Sequence, residues 1–402
     1  MLLTLDSPNT TRIFGRTLSE VNVAVSQFIF GTGAPGMIFA DINNPLDALA
    51  ALALTRHPFD GPIILVPPAG MDQVLMDEIR RLASASANDL PQAIVVGPVG
   101  RQVEDQLVSL GLRATRICGI NAYHTAAEIA RFLGYPNDMM LVSGQNPLSG
   151  LVAGAMASHR GIPVVFTLKD KLPEETAAVV RAARERANVF IIGGRDVISD
   201  ETEQAVRELA DGTVSRISGE DPFELSVRFA KYKSRDNRFG FGKVTRDGHA
   251  FTFVNPGRWQ DSVFGSMLAH RGKHTPVLFL RSNEVPNTTR NYLMQVNPAQ
   301  GVPEPPYMHA FIIGDFQAIS AGVQLDLENI MSVDQKSRNE VIHTGEPHDN
   351  LLHIARQYGV QIADITRANR LPEQGNLEPG TKVTIPYTIT GIRESTAEQE
   401  LH

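Results

Sequence analysis

Three arginines set the chemical question. Arg12, Arg116 and Arg216 stand in Thr11-Arg12-Ile13-Phe14-Gly15, Thr115-Arg116-Ile117-Cys118-Gly119 and Ser215-Arg216-Ile217-Ser218-Gly219, about 100 residues apart. A guanidinium presents a rigid fork of donors that fits a carboxylate or phosphate two bonds at a time, so three related copies meeting on one surface could hold an anion. The plainer use is an internal ion pair within each repeat. Asp47, Ser149 and Asp261 recur in the same way, each near the start of a small-residue helix. There an acidic or hydroxyl side chain meets free N–H groups and the positive end of the helix dipole. Capping is therefore the plain reading, and pairing with the arginines of neighbouring repeats the sharper one.

No catalytic constellation competes with these residues. The chain has no Gly-x-Ser-x-Gly, no phosphate loop ending in Gly-Lys-Ser or Gly-Lys-Thr, and no His-Glu-x-x-His. Gly31-Thr32-Gly33-Ala34-Pro35-Gly36 has the letters of a dinucleotide fingerprint, but it runs into a strand instead of following one, and Pro35 interrupts it. It reads as a loop, and no cofactor is expected. His343, His348 and His353 lack the spacing of a zinc site, so no metal is expected either. An enzyme using a crevice around Gly193 and Asp196 is the remotest reading. Cys118 is the single cysteine, which excludes an intramolecular disulfide, and it reads as a small buried filler.

The elements that must position the arginines repeat with them. After each Arg-Ile-x-Gly comes a helical run (19–28, 122–132, 223–232), an apolar strand (37–40, 139–142, 251–254) and a small-residue helix. That helix opens on Asn44-Pro45 and Asn146-Pro147 in the first two units, where Asn can cap and Pro loses no needed N–H. A second strand, a helix and a third strand ending in glycine complete each unit. Alternating strands and helices imply parallel sheets covered by helices, an α/β fold.

These signatures together resemble the type 2 cell-wall-binding repeat of bacterial surface-layer and wall-associated proteins. The likeness rests on Arg-Ile-x-Gly, Asp47-Ala48-Leu49-Ala50 and Ile191-Ile192-Gly193-Gly194 in matching order. It implies three tandem parallel-sheet lobes arranged as a pseudo-trimer, with repeats at 1–114, 115–214 and 215–334. It also implies an anionic wall polymer as partner, with Arg12, Arg116 and Arg216 as its candidate contacts. The third unit departs most from the pattern. An insertion at 233–248 carries Arg235, Arg238, Lys243 and Arg246, and reads equally as a solvated excursion or a partner-binding surface. Trp259 beside Arg258 suits core packing better than stacking on a sugar.

Beyond the polar run 334–340 the pattern changes to strand, helix, helix, strand over 341–387, a separate module, followed by a tail at 388–402. Asp349-Asn350-Leu351, Ile354-Ala355, Tyr358-Gly359-Val360, Asn369, Leu377, Pro379-Gly380 and Val383-Thr384-Ile385-Pro386 closely resemble a LysM domain. The resemblance implies a βααβ fold and a groove for an N-acetylglucosamine glycan such as peptidoglycan. Its two sides would be Asp349, Asn350 and Leu351, and Asn369, Arg370, Leu371 and Pro372. The loop Gly345-Glu346-Pro347-His348-Asp349 is longer than the family's usual Gly-Asp, which leaves docking to a protein as an alternative.

Composition bounds the rest. With 402 residues, 42% of them hydrophobic, the chain can bury several cores. A formal charge of −7 argues against broad nucleic-acid binding. No apolar run has membrane-spanning length, and Met1 to Thr10 is too short and polar for a secretory leader. The expectation is a non-catalytic structural or anchoring protein of the cell envelope or spore surface. The alternative is a leaderless assembly component, of a spore coat, a filament or an injection machine, in which the LysM domain docks to protein or the chain self-assembles.

Overall fold

The computed structural model describes residues 4–56, 59–84, 92–183, 185–246, 248–271, 274–298, 308–332, 340–345, 350–358, 362–372 and 377–386. The expected tail at 388–402 lies outside them, as does most of the polar run before the last module. The chain enters through an antiparallel ribbon of β1 (Thr4–Asp6) and β2 (Thr10–Ile13), turned at Ser7, whose amide donates to the Thr10 carbonyl at 2.8 Å.

Parallel sheets follow, as the alternation implies. The strands β3 (Gly36–Asp41), β4 (Ile63–Val66), β5 (Gln92–Val96) and β6 (Arg113–Ile117) form a sheet in the order β4-β3-β5-β6. Then β7 (Asp138–Ser143), β8 (Val164–Thr167), β9 (Asn188–Ile192) and β10 (Val214–Ile217) form a second in the equivalent order β8-β7-β9-β10. A third is built on β11 (His249–Val254), β12 (Val277–Phe279) and β13 (Met308–Ile313). Its fourth strand is β2, parallel to β13 with Ile13 opposite Ile313. Each Arg-Ile strand thus hydrogen-bonds into the sheet preceding it, and the first copy closes the last sheet. The innermost strands are apolar runs because helices cover both faces: Met37, Ile38, Phe39 and Ala40 are buried, as are Met139 to Val142.

The small-residue helices meet at the centre. They span Pro45–Ala51, Ala153–Arg160 and Trp259–Ser266, and a single core takes in Ala48 to Leu54, Leu151 to Ala157 except Gly154, and Val263 to Ala269 except Gly265 and Ser266. Small side chains allow that approach. A Cβ on Gly154 would lie 2.7 Å from both Leu52 Cδ1 and Ser266 Oγ, atoms of the two other central segments. The glycine of Arg-Ile-x-Gly has a similar cause. A Cβ on Gly15, Gly119 or Gly219 would come within 2.6, 2.6 or 2.3 Å of the backbone N of Val21, Thr125 or Leu225, in the first turn of the following helix. Thr17, Asn121 and Asp221 cap those helices, each side chain accepting from the backbone N three residues on.

The last module is joined to the body by a strand. Its β14 (Glu340–Thr344) and β15 (Lys382–Pro386) pair antiparallel around the helices Leu351–Tyr358 and Ile362–Asn369, giving βααβ. β14 also pairs with β1, Asp6 opposite Ile342, so one seven-stranded sheet runs β12-β11-β13-β2-β1-β14-β15. The module was expected to stand apart, yet Leu351, Ile354, Ala355, Ile365, Val383 and Ile385 share a core with Leu5, Ala321 and Leu325 of the body. The reason is the outer edge of β1, which would present unpaired backbone groups without β14. Among the described residues no helix is long and apolar enough to cross a membrane.

Candidate functional site

The three arginines occupy equivalent places and make equivalent bonds. Arg116 Nη1 donates to the Gly97 carbonyl at 2.7 Å, Arg216 Nη1 to Gly193 at 3.0 Å and Arg12 Nη1 to Gly314 at 2.9 Å. Each of these glycines ends the third strand of its sheet at positive φ and donates its own N–H to the isoleucine after the arginine. A second nitrogen of each side chain reaches the backbone further along the same turn, at Val99, Ser199 and Ser320. The arginine therefore staples the turn to the closing strand. In the first two sheets an acid completes the arrangement: Arg116 pairs with Glu104 at 2.9 Å, and Arg216 with Glu203 at 2.7 Å. Partial burial opposes the charge on Glu203, but Arg207 and Arg216 outweigh it and hold its pKa below the usual range. In the third sheet the corresponding partner is neutral. Arg12 Nε donates to Gln324 Oε1 at 2.7 Å, the residue is 0% exposed, and its guanidinium lies 4.3 Å from the centre of the Phe316 ring.

Sequence reasoning missed these partners. Glu104 and Glu203 lie 12 and 13 residues before their arginines, a matched spacing that was legible, whereas Gln324 is 312 residues from Arg12. The arginines are held within their own sheets, and Asp47 and Asp261 sit beside the turns they staple. A Cβ on Gly97 would lie 2.1 Å from Asp47 Oδ2, and one on Gly314 2.6 Å from Asp261 Oδ2, so only glycine leaves room for the carboxylates.

Asn44, not Asp47, caps the helix: its Oδ1 accepts from the Asp47 backbone N at 3.2 Å, and its Nδ2 donates to Asp47 Oδ2 at 2.6 Å. Burial, reinforced by Asp41 and opposed by Thr125, pushes the Asp47 carboxyl up to about 6. Asp261 is 0% exposed with Arg258 Nε 3.1 Å away, and burial pushes it up to about 7 against the pull of Arg258. Ser149 donates to the Asn146 carbonyl at 2.8 Å.

In the βααβ module, Asn350 opens the first helix and Leu351 is buried in the shared core. Asp349 lies outside the described residues. Asn369 is committed to the fold: its Nδ2 donates to Ile365 O at 2.8 Å and Thr384 O at 2.5 Å, and its Oδ1 accepts from Thr384 N at 2.7 Å. Of the other expected groove residues, Arg370 is exposed at a φ of 55°, Pro372 is also exposed, and Leu371 packs on the core.

Other expectations resolve individually. Cys118 is exposed, not a buried filler, because β6 is an edge strand and its turn faces outward. Residues 31–35 connect a helix to β3, and Trp259 is half-buried against the central core. The basic insertion is anchored at Phe239, while Arg235, Arg238 and Arg246 stay exposed. Phe239 is 0% exposed and stacks on Phe190 of the second sheet with ring centres 3.6 Å apart. Among the described residues no group of three or more His, Cys, Asp and Glu is placed to hold a metal ion.

Comparison with known proteins accounts for this architecture. The model of cell wall binding domain 2 matches residues 116–203 and 216–324, and the LysM domain model matches 346–386. The chain therefore carries two cell wall binding domain 2 repeats and one C-terminal LysM domain, both of them binding modules. The spans matched by that model are the second unit and the third, with its insertion. The chain is 24% identical over 341 residues to the amidase enhancer of Bacillus subtilis (strain 168), covering 84% of this chain and 43% of that protein. It is 23% identical over 321 residues to the N-acetylmuramoyl-L-alanine amidase LytC of the same organism, covering 79% of this chain and 58% of that one. It thus spans about half the length of these relatives. Among solved structures, Cwp6 from Clostridium difficile matches 83% of this chain and 49% of its own (TM-score 0.66, 17% identity). Cwp8 from the same organism matches 81% of this chain and 52% of its own (TM-score 0.68, 18% identity).

Proposed function

We propose that the chain attaches non-covalently to the cell wall through two kinds of contact made by one rigid body. The three sheets, related by an approximate threefold arrangement of their central helices, form the body and hold an anionic wall polymer. The LysM domain holds an N-acetylglucosamine glycan of peptidoglycan, with Asn350 and Leu351 on one side of its groove and Arg370, Leu371 and Pro372 on the other. Asn369 sets the groove's width by tying its helix to β15. In the lobes Arg12, Arg116 and Arg216 act on the polymer through the turns they hold, since their own donors are engaged there. The cell wall is accordingly the place of action.

The observation that carries this reading is the seven-stranded sheet, which joins the LysM strands to the third lobe through β1. A rigid junction makes the second contact effectively intramolecular once the first has formed. Co-sedimentation of the full chain with purified, polymer-free peptidoglycan tests the LysM half. Binding that soluble N-acetylglucosamine oligomers displace supports it. Binding that the oligomers leave untouched, or concentration-dependent polymerisation with no affinity for peptidoglycan, overturns it in favour of assembly with protein.

A further inference from the structure

The insertion in the third unit contributes to a cleft on the second lobe. The connection from the helix after Arg-Ile-x-Gly to the next strand takes residues 30–35 in the first unit, 133–137 in the second and 232–248 in the third. The extra chain is tightly folded. Ser234 N donates to the Phe239 carbonyl at 2.8 Å, Phe239 N donates to Ser234 Oγ at 3.0 Å, and Gly242 N donates to the Tyr232 carbonyl at 3.0 Å. Gly240 has a φ of 98°, and a Cβ there would meet the Tyr232 carbonyl oxygen at 2.2 Å. Phe239 is the anchor, wedged between Phe190 of the second lobe and Phe229 and Tyr232 of its own. Phe241 stacks on His159 at 5.7 Å.

This anchoring carries Arg238 to the second lobe, where it lines, together with Arg160, Pro136, Asn137, Asp138 and Ile162, a cavity of about 390 Å³. Both arginines are exposed, and among the described residues neither guanidinium makes a hydrogen bond or ion pair. Asp236, the acid nearest Arg238 in sequence, is exposed and spends its carboxylate on Ser234 Oγ at 2.5 Å and the Arg238 amide at 3.2 Å, and it feels the Arg238 charge without a side-chain hydrogen bond to it. Asp138 contributes one carboxylate, half occupied by Asn188 Nδ2 at 2.8 Å. Arg160 by itself is explained as the last residue of its helix, where a cation suits the dipole. A second guanidinium delivered from another lobe is not. Two cations in one concave space repel unless an anion lies between them.

We infer that this cleft is a subsite for one acidic sugar, its carboxylate or phosphate held by Arg160 and Arg238 and a hydroxyl accepted by the open oxygen of Asp138. The volume lies in the range of small-molecule sites, and the donor set is that of bidentate oxyanion recognition. The inference rests on the wall-attachment reading only for the source of the sugar, an anionic polymer.

Saturation-transfer NMR titration of the full chain with D-glucuronate, D-glucose 6-phosphate and D-glucose tests it. Binding of one or both acidic sugars with none of glucose is expected, and which acid binds tells carboxylate from phosphate. Weakening of about tenfold is expected in the Arg160→Gln/Arg238→Gln double variant, with an unchanged unfolding midpoint. Arg195→Gln, which removes an exposed arginine elsewhere on the second lobe, should bind like the parent. Glucose binding as well as the acidic sugars, no binding by any of them, or undiminished binding by the double variant would overturn the inference. Peptidoglycan co-sedimentation is predicted to be unaltered in that variant, so loss of sedimentation speaks to the wall reading alone.

Discussion

The first two lobes and the third solve one problem with different chemistry. In the first two, an arginine, an acid on the preceding helix and a glycine turn all come from one local stretch, ending in Arg116, which is partly exposed, or Arg216, whose side chain is 9% exposed. In the third, the arginine arrives from the other end of the chain, is wholly buried, and meets Gln324 in place of an acid. The Asp261 carboxyl feels Arg12, and Arg258 links Asp261 to Asp315 at 3.1 and 2.8 Å. The same geometry can therefore be kept by a direct ion pair at a lobe's edge, or by carbonyls and a more distant carboxylate where β1 and the LysM domain cover the site. A buried cation is costly unless its hydrogen bonds are complete, so the third lobe is the sensitive one.

The largest test of that contrast is Arg12→Ala. It strands the Gly314 and Asp315 carbonyls and Gln324 in a buried site and should cost roughly 3–5 kcal/mol in urea denaturation. Arg116→Ala, at the partly exposed site, should cost about 1–2 kcal/mol. Equal losses would mean that burial of Arg12 carries no special weight.

Asp261→Asn sharpens the contrast through pH. The carboxyl titrates near 3.8 unfolded and about 7 folded, so the folded state binds the proton more tightly, and stability falls as pH rises between those values. The Asn variant should lose that slope and gain up to about 4 kcal/mol over the parent at pH 8, less at pH 4. A parallel offset at every pH would show that Asp261 is not titrating in this window.

Glu203→Gln makes the second lobe resemble the third and should cost about 1–2 kcal/mol at pH 7. Because Glu203 is held below its usual pKa, its contribution is present above the unfolded value of 4.5 and disappears as pH falls through the lower folded value. The variant and parent should therefore converge in acid. Smallest is Gln324→Glu, in which a new ion pair with Arg12 is offset by the desolvation of a buried carboxylate, so that stability should change by less than about 1 kcal/mol.

Much of this was legible beforehand. The α/β alternation, the small-residue central helices and the βααβ module follow from patterning and helix-start residues within single repeats. What escaped the sequence depends on which distant strand lies alongside. Nothing local in Thr11-Arg12-Ile13 says that β2 joins β13, or that β1 will dock the LysM strands. The insertion's composition left a solvated excursion and a partner-binding surface equally open because a lone Phe239 among glycines carries no period. Its partner, Phe190, lies in another repeat. Cys118 was misplaced because its neighbours are apolar in sequence while its strand is at an edge.

The central claim is that two wall contacts act from one body. Its most direct test is the affinity of the full chain for walls carrying both peptidoglycan and anionic polymer, measured beside each component alone. Simultaneous engagement predicts binding to the complete wall tighter than to either component by about a hundredfold or more. An affinity no better than that of the stronger single component would contradict it.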